Sequence, residues 1–150
     1  MILEEYNIKN AEDLEKITSF IEEHHILTLA TTVENEVSAC SLFYAFDLKS
    51  ISFVVASSED TLHIEHIHKN QKVAGNILLE TKEVGKIQGL QFRGVFTILE
   101  EAKLKALYFK AFPYALALAP KLWQIKIDFF KLTDNRLGFG KKLIYKSASV

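Results

Sequence analysis

One cysteine, Cys40, is all the chain has, so no intrachain disulfide can brace it, and a reducing compartment suits it. Two prolines and six glycines are too few for a proline-rich spacer, a collagen-like repeat or a low-complexity linker. No uninterrupted apolar run approaches the roughly 18 residues that would mark a membrane span. Met1-Ile2-Leu3-Glu4-Glu5 carries acids where a secretory leader needs positive charge followed by an apolar stretch. Neither sign of charge is in excess. Eighteen basic against 19 acidic side chains leave a net charge of -1, which gives no global attraction to nucleic acid or to an anionic membrane. What remains is an ordinary globular composition, 49% hydrophobic and 25% charged. Residues 1–150 are therefore expected to form one cytoplasmic domain, burying about 68–70% of the surface the unfolded chain exposes.

The period of the apolar pattern changes along the chain. Leu14, Ile17, Phe20 and Ile21 recur at spacings of three and four, predicting an N-terminal helix over 10–24 with Asn10 as its cap. Residues 25–32, 37–46 and 51–56 read as strands joined by short turns, an antiparallel meander. A second helix is expected over 60–69 and a fourth strand over 73–79. A long strand lies within 85–100, where Gly89 and Gly94 mark a bulge or a bend of the kind that curls a sheet into a barrel. A third helix over 101–112 is stopped by Pro113, with a further helical turn over 114–118. The last strands are expected over 122–133 and 138–145, with the second pairing back onto 123–131. Phe43, Phe53, Phe92 and Phe96 fall at positions expected to face the core. Seven strands and three helices predict a mainly β fold with helices, a small barrel with helices packed outside it.

The stretch Ser57-Ser58-Glu59-Asp60-Thr61-Leu62-His63 leads from a buried strand into the second helix. Free N–H groups at a helix start, with the positive end of its dipole, favour an anion such as a phosphate. Ser57, Ser58, Thr61 and His63 could add side-chain donors. The competing reading is a plain N-cap by Ser58 or Asp60. His63 and His66, three apart on one helix face with Glu65 and His68 nearby, lack the further ligands that a durable metal site needs, so no metal is expected. Cys40 has no base beside it and reads as a small packed thiol. Gln91 and Arg93 share a strand face where they could meet an anion or a carbonyl. Of Lys141 and Lys142, neighbours on a strand, at most one could reach a given ligand.

The order of elements, together with Gln91-Phe92-Arg93-Gly94, Phe112-Pro113, Trp123 and the block Thr133-Asp134-Asn135-Arg136-Leu137-Gly138-Phe139-Gly140-Lys141-Lys142, resembles the FMN-binding split barrels. These are relatives of pyridoxamine 5'-phosphate oxidase, and within them the chain resembles the YhbP-like bacterial family. The resemblance spans about His25 to Tyr145. It implies a homodimer with FMN at the subunit interface, the flavin ring along Ala39, Cys40, Ser41 and Leu42, and the phosphate held by Ser57, Ser58, Thr61 and His63. His63 stands where many such proteins carry Lys or Arg, and the basic set that recognises pyridoxamine phosphate is incomplete, so that oxidation is not assigned. The function expected is a dimeric FMN-dependent oxidoreductase acting on a small molecule. Haem binding, through one of His24, His25, His63, His66 and His68, and a cofactor-free regulatory dimer are the alternatives.

Overall fold

The computed structural model describes the backbone of residues 2–147 and the side chains of 11–147. Among these residues there are seven strands, β1 (Ile26–Val33), β2 (Glu36–Asp47), β3 (Ser52–Ala56), β4 (Lys72–Leu78), β5 (Gln88–Ile98), β6 (Leu122–Asp134) and β7 (Lys142–Lys146). Three α-helices accompany them, α1 (Ile2–Glu23), α2 (Leu62–Lys69) and α3 (Ala102–Ala111). Among the described residues no helix is long and apolar enough to cross a membrane. All strands join one antiparallel sheet in the order β3-β2-β1-β4-β5-β6-β7, and β3 also pairs with β6. The ring therefore closes over six strands and leaves β7 hanging outside it.

The closure is a split barrel, and β6 is where it splits. One edge of β6 pairs with β5 along nearly its whole length. The other edge is shared, with Leu122 to Lys126 against β3 and Phe129 to Thr133 against β7. Between these halves the register slips at Arg93/Gly94, so that Asp128 is the extra residue of a bulge. A side chain on Gly94 would collide with the Lys126 carbonyl, which explains why the strand bends at a glycine.

Inside the ring Phe53, Phe92, Phe96 and Phe130 are fully buried, and Phe53 lies within about 6 Å of the rings of Tyr44, Phe46, Phe92 and Phe130. Burying each such side chain contributes about 1.5–3 kcal/mol. β3 is buried on both faces because Phe53 and Val55 turn into the ring, while Val54 packs under Leu104 and Tyr108 of α3. Helix α1 covers the core with Ile17, Phe20 and Ile21, and the Tyr44 hydroxyl donates to the Ile21 carbonyl at 2.6 Å.

Several expectations shift. α1 begins at Ile2, so Asn10 lies inside the helix and does not cap it. Phe43 is half exposed on the outside of β2, beside Phe112 at a ring distance of 5.4 Å. The last strand starts at Lys142, not at 138, and pairs with 129–133. Residues 135–141 form a compact turn in which Gly138 and Gly140 hold φ of 137° and 72°. Nothing lies within 4 Å of a Cβ placed on Gly140, so backbone conformation, rather than the close approach of a neighbour, is what requires glycine there.

Candidate functional site

β2 is paired with β1 from Glu36 to Phe43, but with β3 only from Tyr44 to Asp47. From Phe43 back to Glu36 its second edge has no strand partner among the described residues, because the chain leaves β3 at Ala56 and turns through Ser57–Thr61 into α2. The result is a cleft with a bare strand edge on one side and a hydroxyl-rich turn on the other.

The alternation of β2 decides which side chains reach the cleft. Ala39 and Ser41 face outward, whereas Cys40 and Leu42 turn inward and pack against the core. Burial also pushes the Cys40 thiol above its ordinary pKa, which suits a packed thiol rather than a nucleophile. Outside the sheet, two rows of aligned residues run from β2 to β5. Ser41, Thr28, Asn76 and Gln91 form one; Ala39, Ala30, Ala74 and Arg93 form the other. The sheet thus brings Ala39, Ser41, Gln91 and Arg93 onto one face, some 14 Å apart across three strand spacings. The floor between them is made of small side chains, and a flat molecule can lie on it. Arg93 sits over the Phe129 ring at 4.1 Å, and with Gln91 it lines a cavity of about 360 Å³.

At the turn the hydroxyls are already engaged. Ser57 and His63 Nε2 share a buried hydrogen bond of 2.7 Å, and the Thr61 hydroxyl donates to the Ser58 carbonyl at 2.8 Å. The Trp123 indole N–H donates to the Ser57 carbonyl at 3.0 Å, fixing the turn to β6. α2 starts at Leu62 with Thr61 in the cap position and no side-chain cap bond, so neither Ser58 nor Asp60 is the cap. Ser58 is exposed, four residues ahead of the first residue of α2.

His63, a candidate donor to a phosphate, has a buried ring, and desolvation holds its pKa below the ordinary histidine value. In the folded chain it is neutral near pH 7 and serves Ser57. The sign of its effect on stability follows. A depressed pKa leaves its contribution intact above the unfolded value of about 6.5 and removes it as pH falls through the folded value. The urea midpoint of the wild type should therefore drop as pH falls below about 6.5, and His63→Gln should lose part of that dependence. Parallel pH profiles for the two proteins would show that His63 is not the titrating group.

Other residues were missed because their partners are distant in sequence. His66 is buried, with Nδ1 2.8 Å from the Thr31 hydroxyl and Nε2 3.3 Å from a Glu36 carboxylate oxygen. Glu59 is held by Lys121 and by His68, the latter at 2.7 Å. Hydrogen bonds from Lys121 and then His68 keep its carboxyl below the usual range. Among the described residues no group of three or more His, Cys, Asp or Glu is placed to hold a metal ion. Lys141 does not join the turn. β3 meets β6 at Leu122, whereas Lys141 precedes the β7 residue paired with Thr133. The two ends of β6 are roughly 35 Å apart along the strand, so Lys141 and Ser58 lie at opposite ends of it.

The donor set fits FMN in part. The bare β2 edge supplies backbone donors and acceptors for a flavin ring, and Ser58 with the helix start supplies donors for a phosphate. Among the described residues no free permanent cation stands at the turn, since Lys121 is engaged by Glu59.

No family model matches the chain. Curated relatives do. A UPF0306 protein from Klebsiella pneumoniae (strain 342) is 36% identical over 138 residues, covering 90% of this chain and 94% of that protein. UPF0306 protein YhbP from Escherichia fergusonii is 36% identical over 141 residues, covering 92% and 96%. Among solved structures, a heme binding protein from Mycobacterium smegmatis aligns with a TM-score of 0.71 at 17% identity, over 91% of this chain and 57% of that one. A Clostridium acetobutylicum protein related to general stress protein 26, of the pyridoxinephosphate oxidase family, aligns at 0.67 and 16% over 92% and 96%. A FAD-binding protein from Mesorhizobium loti aligns at 0.64 and 14% over 77% and 87%.

Proposed function

Because the chain belongs to the UPF0306 family, which includes YhbP, and has the split-barrel fold, we propose that it is a homodimeric FMN-binding flavoprotein acting as an oxidoreductase on a small molecule. The observation that carries this reading is the bare edge of β2 facing the Ser57–Thr61 turn across a floor of small side chains. When bound there, FMN would supply the electron chemistry, and the protein would supply binding and orientation. Backbone groups of 39–42 would meet the ring edge, Ala39 and Ser41 would lie beneath it, and Gln91 and Arg93 would close the far end of the floor. Ser58 and the first N–H groups of α2 would hold the phosphate.

A second copy completes the charge balance. Ile26, Val37, Phe43 and Leu78 are exposed on the same outer face, and Ile144 stands in line with Gln91 on β7. An apolar surface of that extent supports an isologous dimer burying over about 2,000 Å². The Lys141 of the second copy is the permanent cation that the turn lacks.

The test is a titration of flavin fluorescence with wild type, Ser58→Ala and Lys141→Met, accompanied by sedimentation. FMN should bind a dimer, and each variant should weaken binding by about tenfold, the effect of losing one charge-assisted hydrogen bond. A monomer at micromolar concentration would remove Lys141 from the site. A Soret band on adding haem, with no response to FMN, would turn the assignment to the haem alternative. A protein that takes neither would be the cofactor-free dimer.

A further inference from the structure

The segment between α3 and β6 carries apolar side chains on its outside. It leaves α3 at Ala111, makes a short 3-10 helix over Pro113–Leu118 and enters β6 at Leu122. Tyr114 is 94% exposed, Leu116 62% and Leu118 81%. The base of this tip is anchored. Phe112 meets Tyr108 at a ring distance of 5.0 Å, and Ala115 packs with it against the smaller core under α3. Ala119 then holds a left-handed φ of 44° before Pro120. A non-glycine residue persists in that region only where its surroundings fix it, so the tip is a built conformation.

Permanent cations flank it. Lys103, Lys105 and Lys110 are exposed on α3, whose Leu104 and Tyr108 are buried. Among the described residues none of these lysines is in an ion pair. No carboxylate occurs from 102 to 127. Glu101 and Asp47 share a small cavity with Lys103, at the end of α3 away from the tip. In a chain with net charge -1 this excess of positive charge is local. A peptide partner would need a groove, whereas Tyr114 and Leu118 stand clear of the fold. A second copy is the other rival, because Phe112 touches Phe43 on the outside of β2. Pairing this surface with itself by a two-fold axis would set lysines against lysines, which opposes association. A leaflet of anionic lipid offers both an apolar interior and the opposite charge.

We propose that the 112–118 tip docks the protein on an anionic membrane surface. Leu116 and Leu118 enter the boundary between headgroups and acyl chains, and Tyr114 sits at headgroup level with its ring in contact and its hydroxyl wet. Lys103, Lys105 and Lys110 meet the negative charge of the leaflet. The docking needs no bound flavin.

The test is co-sedimentation of the full chain, without flavin, with vesicles of phosphatidylcholine alone or mixed with phosphatidylglycerol. The protein should bind the anionic vesicles only, and salt should release it. Leu116→Ser/Leu118→Ser should lower partitioning by at least about tenfold. Lys103→Gln/Lys105→Gln/Lys110→Gln should lower it by about a hundredfold, roughly fivefold per lysine. All five positions are exposed, so both variants should keep the wild-type urea midpoint. Equal binding to neutral and anionic vesicles, no binding to either, or a serine variant that binds like wild type would overturn the proposal. So would a serine variant that sediments as a monomer where the wild type is a dimer, since the tip would then belong to the subunit interface. Retention on poly-glutamate without any vesicle binding would assign the surface to an acidic protein partner instead.

Discussion

Gly75→Val leaves no folded barrel under conditions where the wild type is stable. Gly75 lies in β4 opposite Leu29 on one side and Phe92 on the other, at the centre of the sheet. A Cβ built on it falls inside contact distance of the Thr28 carbonyl oxygen and of the Phe92 ring. Neither neighbour can yield cheaply, because Thr28 is backbone in a ladder and Phe92 is fully buried among other rings. Even alanine should cost about 1–3 kcal/mol by overpacking, and valine more. Against a total stability of about 5–15 kcal/mol, the alanine cost lowers the margin measurably, and only the larger clash of valine, against a carbonyl and a buried ring at once, removes it. The measurement is the urea midpoint of Gly75→Ala, with Gly85→Ala as the control, since nothing lies within 4 Å of a Cβ at Gly85. An unchanged midpoint for Gly75→Ala would mean that β1 can move aside.

Asp134→Ala should destabilise the protein by about 2–4 kcal/mol through the loss of a buried, charge-assisted network. The Asp134 carboxylate is almost wholly buried at the end of β6 and accepts three hydrogen bonds from Arg136, from the backbone N–H at 3.0 Å, Nε at 3.1 Å and Nη2 at 3.0 Å. Arg136 Nη2 also donates to the Gln88 side-chain oxygen at 3.0 Å, which ties the turn to the start of β5. Asp134→Asn keeps one acceptor oxygen and should cost less. The side-chain bonds from Arg136 hold the Asp134 carboxyl below the ordinary range. Its contribution is therefore complete above the unfolded value of about 3.9 and disappears as pH falls through the folded value. The gap between the wild-type and Asp134→Ala urea midpoints should be constant from pH 5 to 8, as a rough span, and close only in stronger acid. A gap that closes already near neutrality would assign the linkage to another group.

Much of the fold was legible because local rules carried it. The stripe Leu14, Ile17, Phe20 and Ile21 predicts a helix with one buried face, and those are the α1 residues that meet the core. Gly94 announced a bulge, and the register slips beside it. Local rules fail where a partner comes from far along the chain. Phe43 looks like a core residue by type, but which face of β2 is covered is set by elements from elsewhere in the chain, and its face, shared with Ala39 and Ser41, is the outer one. His63 stands at the helix start that its spacing implies, but its burial depends on how α2 leans over the sheet, which no local pattern encodes. Glu59 and Lys121 are 62 positions apart, so nothing in the run of residues announces that they meet. The candidate site was half legible for the same reason. Alternation shows that only every second residue of 39–42 can point into the cleft, whereas the distance between Lys141 and Ser58 follows from the pairing of β6.

The double duty of β6 also governs the order in which the protein can be made. Its pairing with β3 joins positions such as Ser52 and Gln124, which are 72 apart, and its pairing with β5 completes the last ring contact. A ribosome adds roughly 5–20 residues per second, so β1 to β5 are exposed for seconds before β6 emerges. During that interval the nascent chain is an open sheet whose two outer strands, β3 and β5, each present a bare, largely apolar rim. Both rims are covered by the same late strand, and neither can be protected ahead of the other. The chain is thus most exposed to misassembly with its own copies while it is still being synthesised, and the arrival of one strand ends that exposure on both sides at once.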